Sequence, residues 1–148
     1  SFREVIPLKN HVIANAGFHH IALRASDFEK SFEFYTKGLG FTSCLEWGEG
    51  DGRGAMLDMG DGAILELFAG GTGRNDEPAE NKKAGRFFHL AITTDNTDAA
   101  YEAALAAGAV ADRPPCDINI KGKEKELPAR IAFVFGPDGE WLEFFQVL

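Results

Sequence analysis

Apolar and polar positions along this chain fall into one series, written twice. Residues 18–24 alternate so that His20, Ala22 and Arg24 share one face and Ile21 and Leu23 the other, the period of a strand. Ser26 followed by Glu29 forms a capping-box pattern that opens a helix, and Phe28, Phe32 and Tyr35 lie on one stripe at helical spacing. Gly38 or Gly40 ends that helix. Residues 41–47, 54–59 and 63–68 then read as three strands separated by Gly- and Asp-rich turns, giving the order βαβββ. Beyond a Gly-, Asn-, Glu- and Lys-rich stretch the series restarts with a strand at 87–93. An Ala-rich helix follows, capped by Asp95, Asn96 or Thr97 and closed by Gly108. Strands at 110–113, 129–135 and 140–147 complete a second βαβββ series. Residues 114–128, with Lys121, Lys123 and Lys125, read as a mobile loop. The organisation expected is an N-terminal arm (1–16), a first module (17–70), a linker (71–85) and a second module (86–148).

The repetition extends to individual residues. Asp138-Gly139-Glu140-Trp141-Leu142-Glu143 repeats Asp61-Gly62-Ala63-Ile64-Leu65-Glu66, with an Asp-Gly turn and a carboxylate at the same distance from it. Phe18-His19-His20-Ile21-Ala22-Leu23 is echoed by Phe87-Phe88-His89-Leu90-Ala91-Ile92. Internal repetition at this length fixes an architecture before any local reading does. Each half therefore contributes one histidine, His20 or His89, and one glutamate, Glu66 or Glu143, at matching places. An unpaired carboxylate inside an apolar strand is costly, so both glutamates need a partner.

Composition narrows the field. A module of about 60 residues buries little surface alone, so the halves are expected to share a core, for which the 45% hydrophobic residues and 13 Phe provide material. A net charge of -8 argues against a nucleic-acid surface, which needs Lys and Arg to replace phosphate counterions. Cys44 and Cys116 have neither zinc-knuckle nor disulfide-framework spacing. With no apolar run long enough to span a bilayer, the expectation is a cytoplasmic protein without nucleic-acid or membrane partners.

Two βαβββ modules can pair their sheets into a half-open barrel, an α+β fold, whose cleft gathers His20, Glu66, His89 and Glu143. Two imidazoles and two carboxylates suit a first-row divalent metal ion, whose charge offsets two carboxylates that would otherwise repel. His19 is expected on the opposite face from His20, and both His19 and His11 as packed or surface histidines. Trp141 shares a strand face with Glu143 and either lines the pocket or packs.

The two modules and these four positions resemble the vicinal oxygen chelate superfamily (glyoxalase, bleomycin resistance protein and dioxygenase), and within it glyoxalase I, the lactoylglutathione lyases. The similarity spans residues 18–147 and rests on His20-Ile-Ala-Leu-Arg24, Tyr35-Thr36-Lys37-Gly38-Leu39-Gly40-Phe41, Leu65-Glu66-Leu67, His89-Leu90-Ala91-Ile92, Ile131-Ala132-Phe133-Val134, and Pro137-Asp138-Gly139 with Glu143. The resemblance implies one divalent ion per site on His20, Glu66, His89 and Glu143, with nickel or cobalt favoured over zinc, manganese or iron. It also implies a homodimer. The implied substrate is the hemithioacetal of a 2-oxoaldehyde and a thiol such as glutathione, isomerised to a thioester through a metal-bound enediolate. Glu143, with Glu66 as the other candidate, is the implied catalytic base, and Arg24 the implied substrate-binding residue.

Two positions depart from that pattern. Gly70 stands where it has an Asn, and Gly85 where it has an Arg, with Arg86 one place away. Both departures weaken the glutathione assignment more than the metal assignment. The alternatives are another metalloenzyme of the superfamily, an epimerase or dioxygenase, or a non-catalytic protein that binds a small molecule of antibiotic type.

Overall fold

A computed structural model describes residues 8–72, 85 and 87–148. The first module begins with β1 (His20–Arg24), continues through α1 (Phe28–Glu33), and ends in β2 (Thr42–Trp47), β3 (Gly54–Asp58) and β4 (Ile64–Phe68). The second repeats this with β5 (Leu90–Thr93), α2 (Thr97–Ala106), β6 (Val110–Lys121), β7 (Glu126–Phe135) and β8 (Trp141–Val147). The strands form two four-stranded sheets, ordered β1-β4-β3-β2 and β5-β8-β7-β6. In each, the first strand runs parallel to the last and the other pairings are antiparallel. This is the α+β architecture expected, two βαβββ modules whose cupped sheets remain open.

One face of each sheet is closed by helices. Ala55, Leu57, Leu65 and Leu67 of the first sheet and Ala132, Val134, Leu142 and Phe144 of the second belong to one buried cluster with Phe28, Phe34, Tyr35, Tyr101 and Ala104. The halves do share a core. Each fully buried leucine contributes about 1.5–3 kcal/mol of transfer free energy, which neither half could accumulate alone. The opposite face of each sheet carries the histidines and glutamates.

Several local expectations are corrected. The cap of α1 is Asp27, whose carboxylate accepts from Lys30 N, and not Ser26. Ser26 N is instead taken by the Asp138 carboxylate of the second module, at 3.1 and 3.2 Å. Past Glu33 the helix widens into a π-turn, Phe34–Gly38, closed by Leu39 N donating to Phe34 O at 2.9 Å. Gly40, at φ +78°, supplies the left-handed residue that turns the chain into β2. The cap of α2 is Asn96, which accepts from Ala99 N at 3.0 Å.

The largest correction concerns residues 114–128, expected as a mobile loop. β6 runs through Pro114 and Pro115 to Lys121, β7 starts at Glu126, and only residues 122–125 form the turn. The two prolines sit where the β6–β7 register shifts, between Arg113 and Cys116, on the edge strand. There a missing N–H breaks no ladder bond, so prolines that look like strand breakers are tolerated.

Candidate metal centre

Each histidine and its glutamate are brought together by the same strand register. In the first sheet Ala22 pairs with Glu66, and in the second Ala91 pairs with Glu143, so each histidine stands two residues before the partner of its glutamate. Two residues is one pleat repeat, which keeps imidazole and carboxylate on one face. His20 Nε2 lies 3.7 Å from Glu66 Oε1, and His89 Nε2 lies 3.3 Å from Glu143 Oε1. Neighbouring donors around a first-row ion bound at ~2.0–2.2 Å stand roughly 3 Å apart or slightly more, so the His89–Glu143 pair is close to one edge of a coordination polyhedron and the His20–Glu66 pair is somewhat wider.

The four residues do not converge within one chain. Among the described residues, no group of three or more His, Cys, Asp or Glu side chains is close enough to hold an ion. The structure thus holds two separate His–Glu pairs, candidate half-sites that each offer one nitrogen and one oxygen. Both glutamate side chains are largely covered, 14% exposed at Glu66 and 10% at Glu143, while His20 and His89 are more open. Burial pushes the Glu143 carboxyl above the usual carboxylate range, with Arg113 acting in the opposite direction. A cation beside Glu143 would favour its ionised form, so the donor chemistry of the half-sites fits a divalent ion.

The surroundings of the two half-sites differ. His20 Nδ1 and His19 Nδ1 are 2.9 Å apart, one donating to the other, which leaves His20 Nε2 toward Glu66. His19 precedes β1, and it therefore meets its neighbour where strict alternation would have sent it to the other face. His89 instead touches rings edge-on: Phe88 at 4.9 Å, Trp141 at 5.4 Å and Phe133 at 5.7 Å between centroids. Trp141 and Phe133 are stacked at 4.4 Å, and the Trp141 indole N–H donates to Asp112 at 2.7 Å. Trp141 therefore lines this half-site. Phe88, Phe133, Asp112 and Arg113 are not predicted as site residues by the sequence. The available signal for Phe133 was positional, since it is the strand partner of Glu143 just as Met56 is of Glu66.

Arg24 lies on the His20 face of β1, with Nη1 donating to Ala69 O at 2.8 Å and its guanidinium 5.1 Å from the Phe68 ring centroid. Gly70 adopts φ +82°, and a Cβ there would meet Asp51 O at 3.1 Å. The backbone at this departure from the glyoxalase I pattern is thus set for glycine. Arg86 lies outside the described residues, and Gly85 is exposed.

The fold and the paired donors define a class: open-sheet βαβββ proteins of the vicinal oxygen chelate type. A family model of the Glyoxalase/Bleomycin resistance protein/Dioxygenase superfamily matches residues 17–144, and the chain belongs to that superfamily. It is similar to a probable lactoylglutathione lyase of Vibrio cholerae, 34% identical over 140 residues that cover 90% of this chain and 93% of the relative. Among solved structures, a glyoxylase/bleomycin resistance protein/dioxygenase domain from Frankia superposes with a TM-score of 0.70 at 20% identity, covering 91% of this chain and 94% of that one. TnmS3, an antibiotic binding protein from Streptomyces, superposes with a TM-score of 0.60 at 22% identity, covering 92% and 99%. At these identities the two structures speak for the fold alone. Among the described residues no helix is long and apolar enough to cross a membrane.

Proposed function

We propose that this protein is a metal-dependent lyase of the glyoxalase I type, converting the hemithioacetal of a 2-oxoaldehyde and a thiol to a thioester. The observation that carries the reading is the duplicated His–Glu frame, 3.7 Å in one module and 3.3 Å in the other, built by one register on two sheets. In this reading His20 and Glu66 of one copy meet His89 and Glu143 of a second, which makes a homodimer with two complete sites. The separation of the half-sites within a single chain supports that arrangement.

A divalent cation held by these four residues, with nickel or cobalt favoured, supplies Lewis acidity that stabilises negative charge on vicinal substrate oxygens. The chain's own residues do the rest. Glu143, the more deeply covered carboxylate, takes a proton from the carbon bearing sulfur and returns it to the adjacent carbon, with Glu66 as the opposing carboxylate. Arg24, on the His20 face, binds the substrate. The 34% identity to a probable lactoylglutathione lyase supports the reaction class.

A second reading is a binding protein without turnover in the same cleft; the backbone at Gly70, set for glycine where the glyoxalase I pattern has Asn, argues against a glutathione adduct and leaves the ligand open. The two separate on purified protein. The enzyme reading expects about one nickel or cobalt ion per chain after reconstitution, together with thioester formation from methylglyoxal and glutathione or another small thiol. Metal-free protein that forms no thioester would leave the binding reading.

A further inference from the structure

The two modules hold their histidines by different means. In the second, the His89 ring stands edge-on to Phe88, Phe133 and Trp141, and Phe133 belongs to a small buried cluster with Ala129 and Ile131. Packing therefore sets that imidazole. At the matching places the first module has His19, Met56 and Ile64, and the His20 side chain is 41% exposed against 29% for His89. A ring that open needs something besides packing to orient it.

His19 supplies it. His20 Nδ1 lies 2.9 Å from His19 Nδ1, with the two rings edge to face at 5.1 Å between centroids. Among the described residues the His20 ring has no other hydrogen bond, since 3.7 Å from Nε2 to Glu66 Oε1 is beyond hydrogen-bond reach. His19 is itself anchored to the sheet, because its carbonyl accepts from Ile64 N at 3.1 Å. A neutral imidazole carries its one hydrogen on either nitrogen, and only the bare nitrogen can bind an ion. The contact therefore admits two arrangements. If His19 donates, the His20 hydrogen sits on Nε2, facing Glu66, and no ion can be held there. If His20 donates, Nε2 is bare toward Glu66 and the pair is ready for a cation.

We propose that His19 is a positioning residue of the metal centre: its Nδ1 accepts the His20 Nδ1–H, which fixes the tautomer and the ring orientation that present His20 Nε2 beside Glu66. This role rests on His20 and Glu66 being ligands, the reading proposed above. A hydrogen bond from the far nitrogen of a ligating histidine orients the ring and strengthens the bare nitrogen as a donor. Losing such a partner costs roughly 10- to 100-fold in metal affinity.

The test measures the nickel affinity of the full-length protein by competition with a chelator of known strength. His19→Phe keeps a ring at the contact, matches Phe88 of the second module and removes the acceptor. It should bind nickel about tenfold more weakly than the native protein. His19→Asn puts Oδ1 the same number of bonds from the backbone as the lost Nδ1, and should restore affinity to within about twofold of native. His19 is exposed and outside the core, so both variants should fold as the native chain does. Native affinity in His19→Phe, or a loss in His19→Asn as large as in His19→Phe, overturns the proposal and leaves the metal centre standing. A native protein that retains no nickel sinks the metal reading itself, and the positioning role with it.

Discussion

The Tyr35 hydroxyl donates a 2.8 Å hydrogen bond to Glu140 Oε2 across 105 residues of sequence, joining the π-turn of the first module to the turn before β8 of the second. Glu140 Oε1 accepts from Asp138 N at 2.8 Å, and the Asp138 carboxylate accepts from Ser26 N and Ser31 Oγ. The network fastens the modules at one end of their shared core. Tyr35 is fully buried, so Tyr35→Phe removes a donor that no water replaces. The variant should lose about 1–3 kcal/mol of stability, read from the midpoint of urea unfolding at constant slope.

The same network makes stability depend on pH. Burial raises the Glu140 carboxyl above its usual value, against the lowering effect of the Tyr35 hydrogen bond, and the nearby Asp138 carboxylate also raises it. A carboxyl with a raised folded-state pKa favours the fold fully below its unfolded value of 4.5, and that contribution is lost as pH rises through the folded value. Stability attributable to Glu140 should therefore decline on going from acidic to neutral pH. Glu140→Gln, neutral throughout, should flatten that part of the profile. An unchanged slope between native and E140Q thermal melts across this range would contradict the assignment.

Gly38 closes the π-turn where it meets the end of α2. A Cβ at Gly38 would stand 2.5 Å from the Cβ of Ala107, too close for either to stay in place. Gly38→Ala should therefore destabilise the protein by about 1–3 kcal/mol through overpacking between the modules. Ala107→Gly in the same chain removes the clashing atom and should recover part of the loss. A double-mutant cycle measures the coupling, and additive costs would place the effect elsewhere.

The proposed sharing of one site between two copies makes a complementation test possible. His20→Ala removes the imidazole of one half-site and His89→Ala that of the other, and either homodimer should fail to retain nickel. Mixed dimers made by unfolding and refolding the two together would carry one site with both substitutions and one with neither. About one ion per mixed dimer, measured after separation by differential tags, is the expected result. No recovery would mean that the half-sites of one chain serve each other.

The repeat located His20, Glu66, His89 and Glu143, because a duplicated frame shows which polar residues recur in apolar strands. Strand and helix existence followed from periodicity, and the Asn96 cap was among the three candidates named. The 114–128 segment reads as a loop in the sequence because Pro114 and Pro115 signal a break locally. Only their position on a sheet edge, at a register shift, makes them compatible with β6. Asp27 rather than Ser26 caps α1, and the Asp138 carboxylate 112 residues away accepts from Ser26 N, a contact that only the packed modules create.

By itself, then, the order of residues determined the duplicated βαβββ plan and which two histidines and two glutamates recur in it, since both are carried by local periodicity and by comparison of one half with the other. Tertiary structure alone decided which histidine faces which glutamate, that the two pairs stay apart within a chain, and that aromatic rings surround His89 but not His20. Those facts depend on strand register and on contacts between residues distant in sequence, where a shift of one residue turns every side chain to the other face.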